Sequence, residues 1–209
     1  RMSRGLGDVY KRQVPASAFD HPSALHAIAE QYASLTCEND MKPEALLDWE
    51  ENQKNPAACD RTPALRFDRA VPYLEFAKEN GIGMRGHTIV WHNQTPRWFF
   101  AKEYRSEPDA PLADRETMLA RLESYIRDIM NFVQERYPGV VYAWDVVNEA
   151  IDGSTLRPSL WTETVGKDFV LQAFRMAAKY KAPGVSLFYN DYDTFLPEKR
   201  EAICETILK

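Results

Sequence analysis

Asn148 and Glu149 stand side by side at the end of an apolar run, Val140 to Val147, and a turn at Asp152-Gly153 follows. Three other stretches place polar groups at the same point. Glu38-Asn39 follow Leu35–Cys37, with Lys42 shortly after. His87 lies near the end of Met84–Val90, with Trp91-His92-Asn93 behind it. Asn190-Asp191-Tyr192 follow Val185–Tyr189. Brought together, these groups would line a cleft with carboxylates (Glu38, Glu149 and, as a third candidate, Asp191), amides (Asn39, Asn148), an ammonium (Lys42), an imidazole (His87) and aromatic rings (Trp91, Tyr192). No Ser or Cys stands beside a base that would make it a nucleophile. Carboxylates with amides and aromatics suit glycosidic-bond chemistry: one carboxyl protonates the leaving oxygen, and a second attacks or activates water. An acid working near neutral pH needs its proton held by burial and by a neighbouring carboxylate. Glu149, mounted on a strand end, is the candidate for that role.

The elements that must position these groups alternate. Helical apolar spacing covers Pro22–Ala33, Phe67–Asn80, Ala113–Tyr137 and Phe169–Tyr180, and Pro197 opens a last helix over Glu198–Leu208. Pro72 leaves the start of the second helix open. Between the helices lie short strands, Ser34–Cys37, Met84–Val90, Val140–Val147 and Val185–Tyr189, apolar on both faces. Such strands are parallel and covered by helices, in a barrel or an open doubly wound sheet. No G-x-G-x-x-G or P-loop follows any of them, which favours the barrel. In a (β/α)8 barrel the C-terminal strand ends share one face, and that face carries the active site. The expected fold is α/β, a partial (β/α)8 TIM barrel.

The 209 residues are enough for one domain, with 44% apolar and 27% charged residues, as in ordinary globular proteins. A formal net charge of −5 argues against a nucleic-acid partner. No apolar run approaches the ~18 residues that cross a bilayer. The 5 Trp, 10 Tyr and 10 Phe first fill a core, and any surplus suits stacking on the apolar face of a pyranose. The 3 cysteines form neither a disulfide framework nor a zinc motif. The spacing of His87 and His92 matches no helical ligand pair, so neither metal nor cofactor is expected. His92 reads as a core histidine, Trp98 and Trp144 as packing, and the charges of Ala113–Tyr137 as a solvated helix face. Residues 1–13 are basic and lack the apolar centre of a signal peptide. They read as a non-native segment, and residues 14–209 as an incomplete catalytic barrel.

Four motifs resemble glycoside hydrolase family ten, the endo-β-1,4-xylanases: Glu38-Asn39-Asp40-Met41-Lys42, Gly86-His87-Thr88-Ile89-Val90-Trp91-His92, Trp144-Asp145-Val146-Val147-Asn148-Glu149-Ala150, and Asn190-Asp191-Tyr192. Their order fits, and the resemblance extends from about residue 22 to the end. It implies a retaining enzyme without cofactor, acting on β-1,4-xylan or xylo-oligosaccharides. By it, Glu149 is the general acid/base, and Asn148 bonds the 2-hydroxyl of the glycone sugar. Glu38, Asn39 and Lys42 bind glycone hydroxyls, His87 and Trp91 line the sugar at the scissile bond, and Tyr192 faces the leaving-group side. Glu51–Arg66 departs from the family's usual turn. The countable strands correspond to the second to fifth of the barrel, with the first absent or replaced by residues 1–13. The nucleophilic Glu of the seventh strand is expected beyond Lys209, so the chain alone is expected to be inactive or nearly so. Secretion is expected from the polymeric substrate. Two rival readings are a non-catalytic xylan-binding remnant and an unrelated metabolic barrel enzyme; that no phosphate-type glycine loop follows a strand speaks against the second.

Overall fold

The computed structural model describes residues 11–207, and a parallel sheet of five strands runs through them. In chain order the strands are β1 (Lys11–Val14), β2 (Ser34–Cys37), β3 (Gly83–Trp91), β4 (Val141–Asn148), a small antiparallel hairpin β5 (Ile151–Asp152) and β6 (Thr155–Leu156), and β7 (Ser186–Asn190). The sheet order β1-β2-β3-β4-β7 follows the sequence, as expected where each strand is followed by a crossover that returns beside it.

β1 corrects an expectation. Lys11–Gln13 belong to the segment excluded from the fold, yet Lys11–Val14 pair residue for residue with Ser34–Cys37. Parallel pairing is carried by backbone groups, so the open edge of β2 accepts this extended segment whatever its side chains. Val14 is then buried, and its carbonyl accepts from the Glu38 N–H at 3.0 Å. Residues 1–10, and Leu208 of the expected last helix, lie outside the described residues.

The helices are α1 (Pro22–Gln31), three short ones, α2 (Pro43–Leu46), α3 (Trp49–Lys54) and α4 (Pro56–Cys59), then α5 (Val71–Asn80), α6 (Arg115–Arg136), α7 (Leu160–Thr164), α8 (Phe169–Tyr180) and α9 (Pro197–Thr206). α5 begins later than its apolar spacing suggests. Pro72 must sit in the first turn, where a missing N–H leaves no bond unmade. The helix ends at Gly81, whose φ of +60° is the left-handed conformation that an L side chain resists. α6 buries Leu122, Ile126, Ile129 and Met130, and α8 buries Ala173 and Ala177, in one core with Val146 and Val147 of β4. The rings of Phe67 and Phe132 stack at 3.8 Å.

Not every charge of α6 faces solvent. The Arg121 side chain is 0% exposed. It donates to the carbonyls of Phe99 and Ala101 at 2.6 and 2.9 Å, to the Asp60 carbonyl at 2.6 Å and to the Asp60 carboxylate at 2.8 Å. Irregular backbone has no ladder to satisfy it, and the five N–H groups of one guanidinium supply what the loops lack. The divergent Glu51–Arg66 stretch is held in part this way. Asn52 holds it too, donating to the Asp48 and Ala64 carbonyls and accepting from the Ala64 N–H.

Candidate active site

The register of the sheet brings the expected residues together. Trp91 is the β-partner of Asn148, and Asn148 of Asn190, so three strand ends finish in one row. Close packing within β3 and β4 sets this register. Gly86 lies opposite Trp144, and a Cβ on Gly86 would fall 2.2 Å from the Trp144 ring.

Glu149 follows directly on β4 with φ +53°, a left-handed conformation in a residue that has a Cβ. Its backbone is held on both sides: its N–H donates to the Asn190 carbonyl at 2.8 Å, and its carbonyl accepts from Arg157 Nε at 3.2 Å. The turn swings the carboxyl towards the end of β3, where Trp91 Nε1 donates to Glu149 Oε2 at 3.0 Å. Trp91 is fixed in turn, since its carbonyl accepts from Trp161 Nε1 at 3.0 Å and Thr95 Oγ1 at 2.6 Å.

Lys42 stands over the Trp91 ring, its Nζ 4.8 Å from the ring centre. It donates to Asn39 Oδ1 at 2.8 Å and to Gln94 Oε1 at 2.9 Å. Burial holds its ammonium below the ordinary lysine range, while the charges of Glu38 and Glu149 pull it back up. Lys42 thus feels both carboxylates. The loop that carries Glu38, Asn39 and Lys42 is anchored by Asp40, which is buried and accepts from Arg69 Nε at 2.8 Å and the Tyr73 hydroxyl at 2.5 Å.

His87 is tied to the floor of the site. Its Nδ1 lies 3.0 Å from Asp145 Oδ2, its β-partner, and Arg85 Nε donates to Asp145 Oδ1 at 2.9 Å. His92 packs edge-on against Trp91 at 5.8 Å, with its Nδ1 buried and without a hydrogen-bond partner among the described residues. Burial pushes its imidazole below the usual histidine range.

Asn148 is buried and accepts from Asn190 Nδ2 at 2.7 Å. Tyr192 is half exposed at the far side, and its hydroxyl accepts from Arg157 Nη2 at 3.1 Å. The third carboxylate candidate, Asp191, is removed from the cleft. Its side chain is 0% exposed and pairs with Lys199 Nζ at 2.6 Å, because the β7–α9 turn folds it under the loop. Three site residues went unread in the sequence: Gln94, Arg157 and the anchoring role of Asp145. Each acts on a group already found, and no local pattern marks it. Asp145 lies within a quoted motif, yet inside an apolar strand it reads only as an interruption. Trp144 is buried, as expected of a packing residue.

A lined row of strand ends, two carboxylates, a lysine within the field of both and an indole bonded to one of the acids can hold a polyol and protonate an oxygen on it. The model of Glycosyl hydrolase family 10 matches residues 5–209. The chain is 59% identical over 187 residues to endo-1,4-beta-xylanase B of Butyrivibrio fibrisolvens, covering 90% of this chain and 29% of that protein. It is 52% identical over 166 residues to a putative endo-1,4-beta-xylanase of Caldicellulosiruptor saccharolyticus, covering 78% of this chain and 52% of the relative. Among solved structures, the CBM22-1–GH10 modules of Clostridium thermocellum endo-1,4-beta-D-xylanase 10B, complexed with xylohexaose, superpose with a TM-score of 0.85 at 32% identity, covering 93% of this chain and 40% of that one. Xylanase XynB of Paenibacillus barcinonensis superposes with a TM-score of 0.75 at 36% identity, covering 93% and 53%. The chain therefore spans about half or less of the length of these relatives.

Proposed function

The chain belongs to glycosyl hydrolase family 10, and from that membership and the geometry of the strand ends we propose that it carries the acid/base half of a retaining endo-1,4-beta-xylanase site. The observation that carries the reading is the Glu149 carboxyl, mounted on the end of β4, bonded to Trp91 and within the field of Lys42. In this reading Glu149 protonates the glycosidic oxygen as the leaving sugar departs, then takes a proton from the water that replaces it. Asn148 bonds the glycone 2-hydroxyl. Glu38, Asn39 and Lys42 hold glycone hydroxyls, His87 and Trp91 line the sugar at the scissile bond, and Tyr192 receives the leaving side. The xylohexaose complex of the Clostridium thermocellum relative supports xylo-oligosaccharides as ligands.

The attacking carboxylate is assigned to a later strand of the barrel. Glu38 belongs to the glycone side, and Asp191 is buried in an ion pair. A polymeric substrate is the reason to expect the protein outside the cell, which assay of culture supernatant tests. The main test is Glu149→Gln in the protein expressed from its full reading frame, with release of reducing ends from xylan as the readout. Turnover is expected to fall by about 10²–10⁴, and unchanged turnover overturns the reading. Binding of xylo-oligosaccharide without turnover from the full reading frame would favour the non-catalytic remnant.

A further inference from the structure

Lys199 is a buried lysine that the proposed chemistry does not use. It lies in the first turn of α9, its side chain only 4% exposed, on a helix packed against the β5–β6 hairpin. An ammonium is buried only where its partners replace water. Here the partner is Asp191, at 2.6 Å through Oδ1. The same Oδ1 accepts from the Tyr192 N–H at 2.9 Å, and Oδ2 accepts from the Tyr189 hydroxyl. With its proton committed to Asp191, the Tyr189 oxygen turns a lone pair to the Ile151 N–H at 3.2 Å. Ile151 ends the turn that begins at Glu149. A continuous path of contacts therefore runs from Lys199 through Asp191 and Tyr189 to the backbone that carries the left-handed Glu149.

Lys199 has a second contact in the same direction. Its Nζ lies 3.5 Å from the centre of the Tyr192 ring, as in a cation–π pair. The Tyr192 hydroxyl is held from the other end by Arg157, which also bonds the Glu149 carbonyl. One buried ammonium thus braces both the acid and the aromatic ring on the leaving-group side.

We propose that Lys199 is a positioning residue for proton donation, holding the Glu149 turn in place through Asp191 and Tyr189. The proposal rests on the reading of Glu149 as the acid/base. A displaced acid handicaps a leaving group that needs a proton and spares one that does not. The readout is therefore kcat/KM on xylotetraose, whose leaving sugar needs protonation, against kcat/KM on 2,4-dinitrophenyl β-xylobioside, whose phenolate leaves without it. Both are measured in the protein expressed from its full reading frame.

Lys199→Met strands the Asp191 carboxylate. Tyr189→Phe, which leaves the ion pair whole, is measured beside it and decides the matter where the first variant does not fold. The expected result is a fall of about tenfold on xylotetraose with the aryl substrate within about twofold of the parent. A loss of folded protein would lower both substrates alike. Equal falls on both substrates in Tyr189→Phe, or none on either, overturn the proposal. Glu149→Ala is the control. If it shows the same selective loss while Tyr189→Phe does not, only this inference falls. If Glu149→Ala shows no selectivity, the acid/base reading falls and takes the inference with it.

Discussion

Trp91 Nε1 donates to Oε2 of Glu149 at 3.0 Å, joining the ends of two neighbouring strands through their side chains. The bond engages one of the two carboxyl oxygens. It also locks the rotation of a side chain that stands on strained backbone.

Trp91→Phe keeps an aromatic face for Lys42 and removes the donor. The expected outcome is a fall in kcat/KM on xylan of about tenfold, from a carboxyl that no longer holds one orientation. Steady-state assays on the protein from the full reading frame check it, with a melting curve to confirm that the fold is kept.

Asp145 neutralises Arg85 and orients His87 from the floor of the sheet. In Asp145→Asn the guanidinium loses its counter-charge in a setting only 21% exposed. Destabilisation of about 2–3 kcal/mol is expected, somewhat below the penalty for a fully buried pair. Urea unfolding measures it, and a value under about 0.5 kcal/mol would mean that water reaches Arg85 freely.

Gly86→Ala tests the spacing of β3 and β4. The added methyl would lie 2.2 Å from the Trp144 ring, which is itself buried and cannot retreat. A loss of about 2–3 kcal/mol is expected from overpacking. The double variant Gly86→Ala/Trp144→Phe should recover part of it, since the smaller ring frees space at that point.

Asp168 and Arg115 tie the start of α8 to the start of α6 through two bonds of 2.8 Å. The guanidinium, with help from Gln172, pulls the Asp168 pKa from 3.8 down to about 2. A lowered folded pKa means that the stabilisation is fully present above 3.8 and fades as pH falls towards 2. Both side chains are substantially exposed, so the effect is small. Asp168→Asn should lower the melting temperature by about 1–2 °C at neutral pH. The gap should narrow once the pH drops below 3.8. A gap that stays constant across that range would assign the loss to something other than the charge.

Strand positions, and which residues gather at the strand ends, were legible because they obey local rules. Apolar runs bounded by polar pairs mark parallel strands, and Glu38, Asn39, Lys42, Trp91, Asn148 and Glu149 gather where those runs end. What escaped depends on tertiary partners. β1 takes its place because β2 offers an edge, which no side chain in Lys11–Gln13 announces. Arg121 reads as one more charge on an exposed helix until the carbonyls of Phe99 and Ala101 arrive around it. Asp191 sits in the same kind of strand-end segment as Glu149, and only the approach of Lys199 decides that one carboxylate reaches the end of β3 and the other is buried in an ion pair. The hairpin at Ile151–Leu156 was visible only as its turn, because strands of two residues carry no periodicity.

Asp40 and Asp191 share one arrangement: each lies next to residues of the cleft and is held by the helix that comes later in its own unit, Asp40 by Tyr73 of α5 and Asp191 by Lys199 of α9. Strand, cleft residues, anchor and the helix that secures the anchor are therefore consecutive along the chain. Each such stretch brings its own scaffolding as it leaves the ribosome. A crossover between these units would carry the Asp40 or Asp191 anchor together with the helix that holds it, whereas Glu149 would still depend on Trp91 and Asn190 of the neighbouring units.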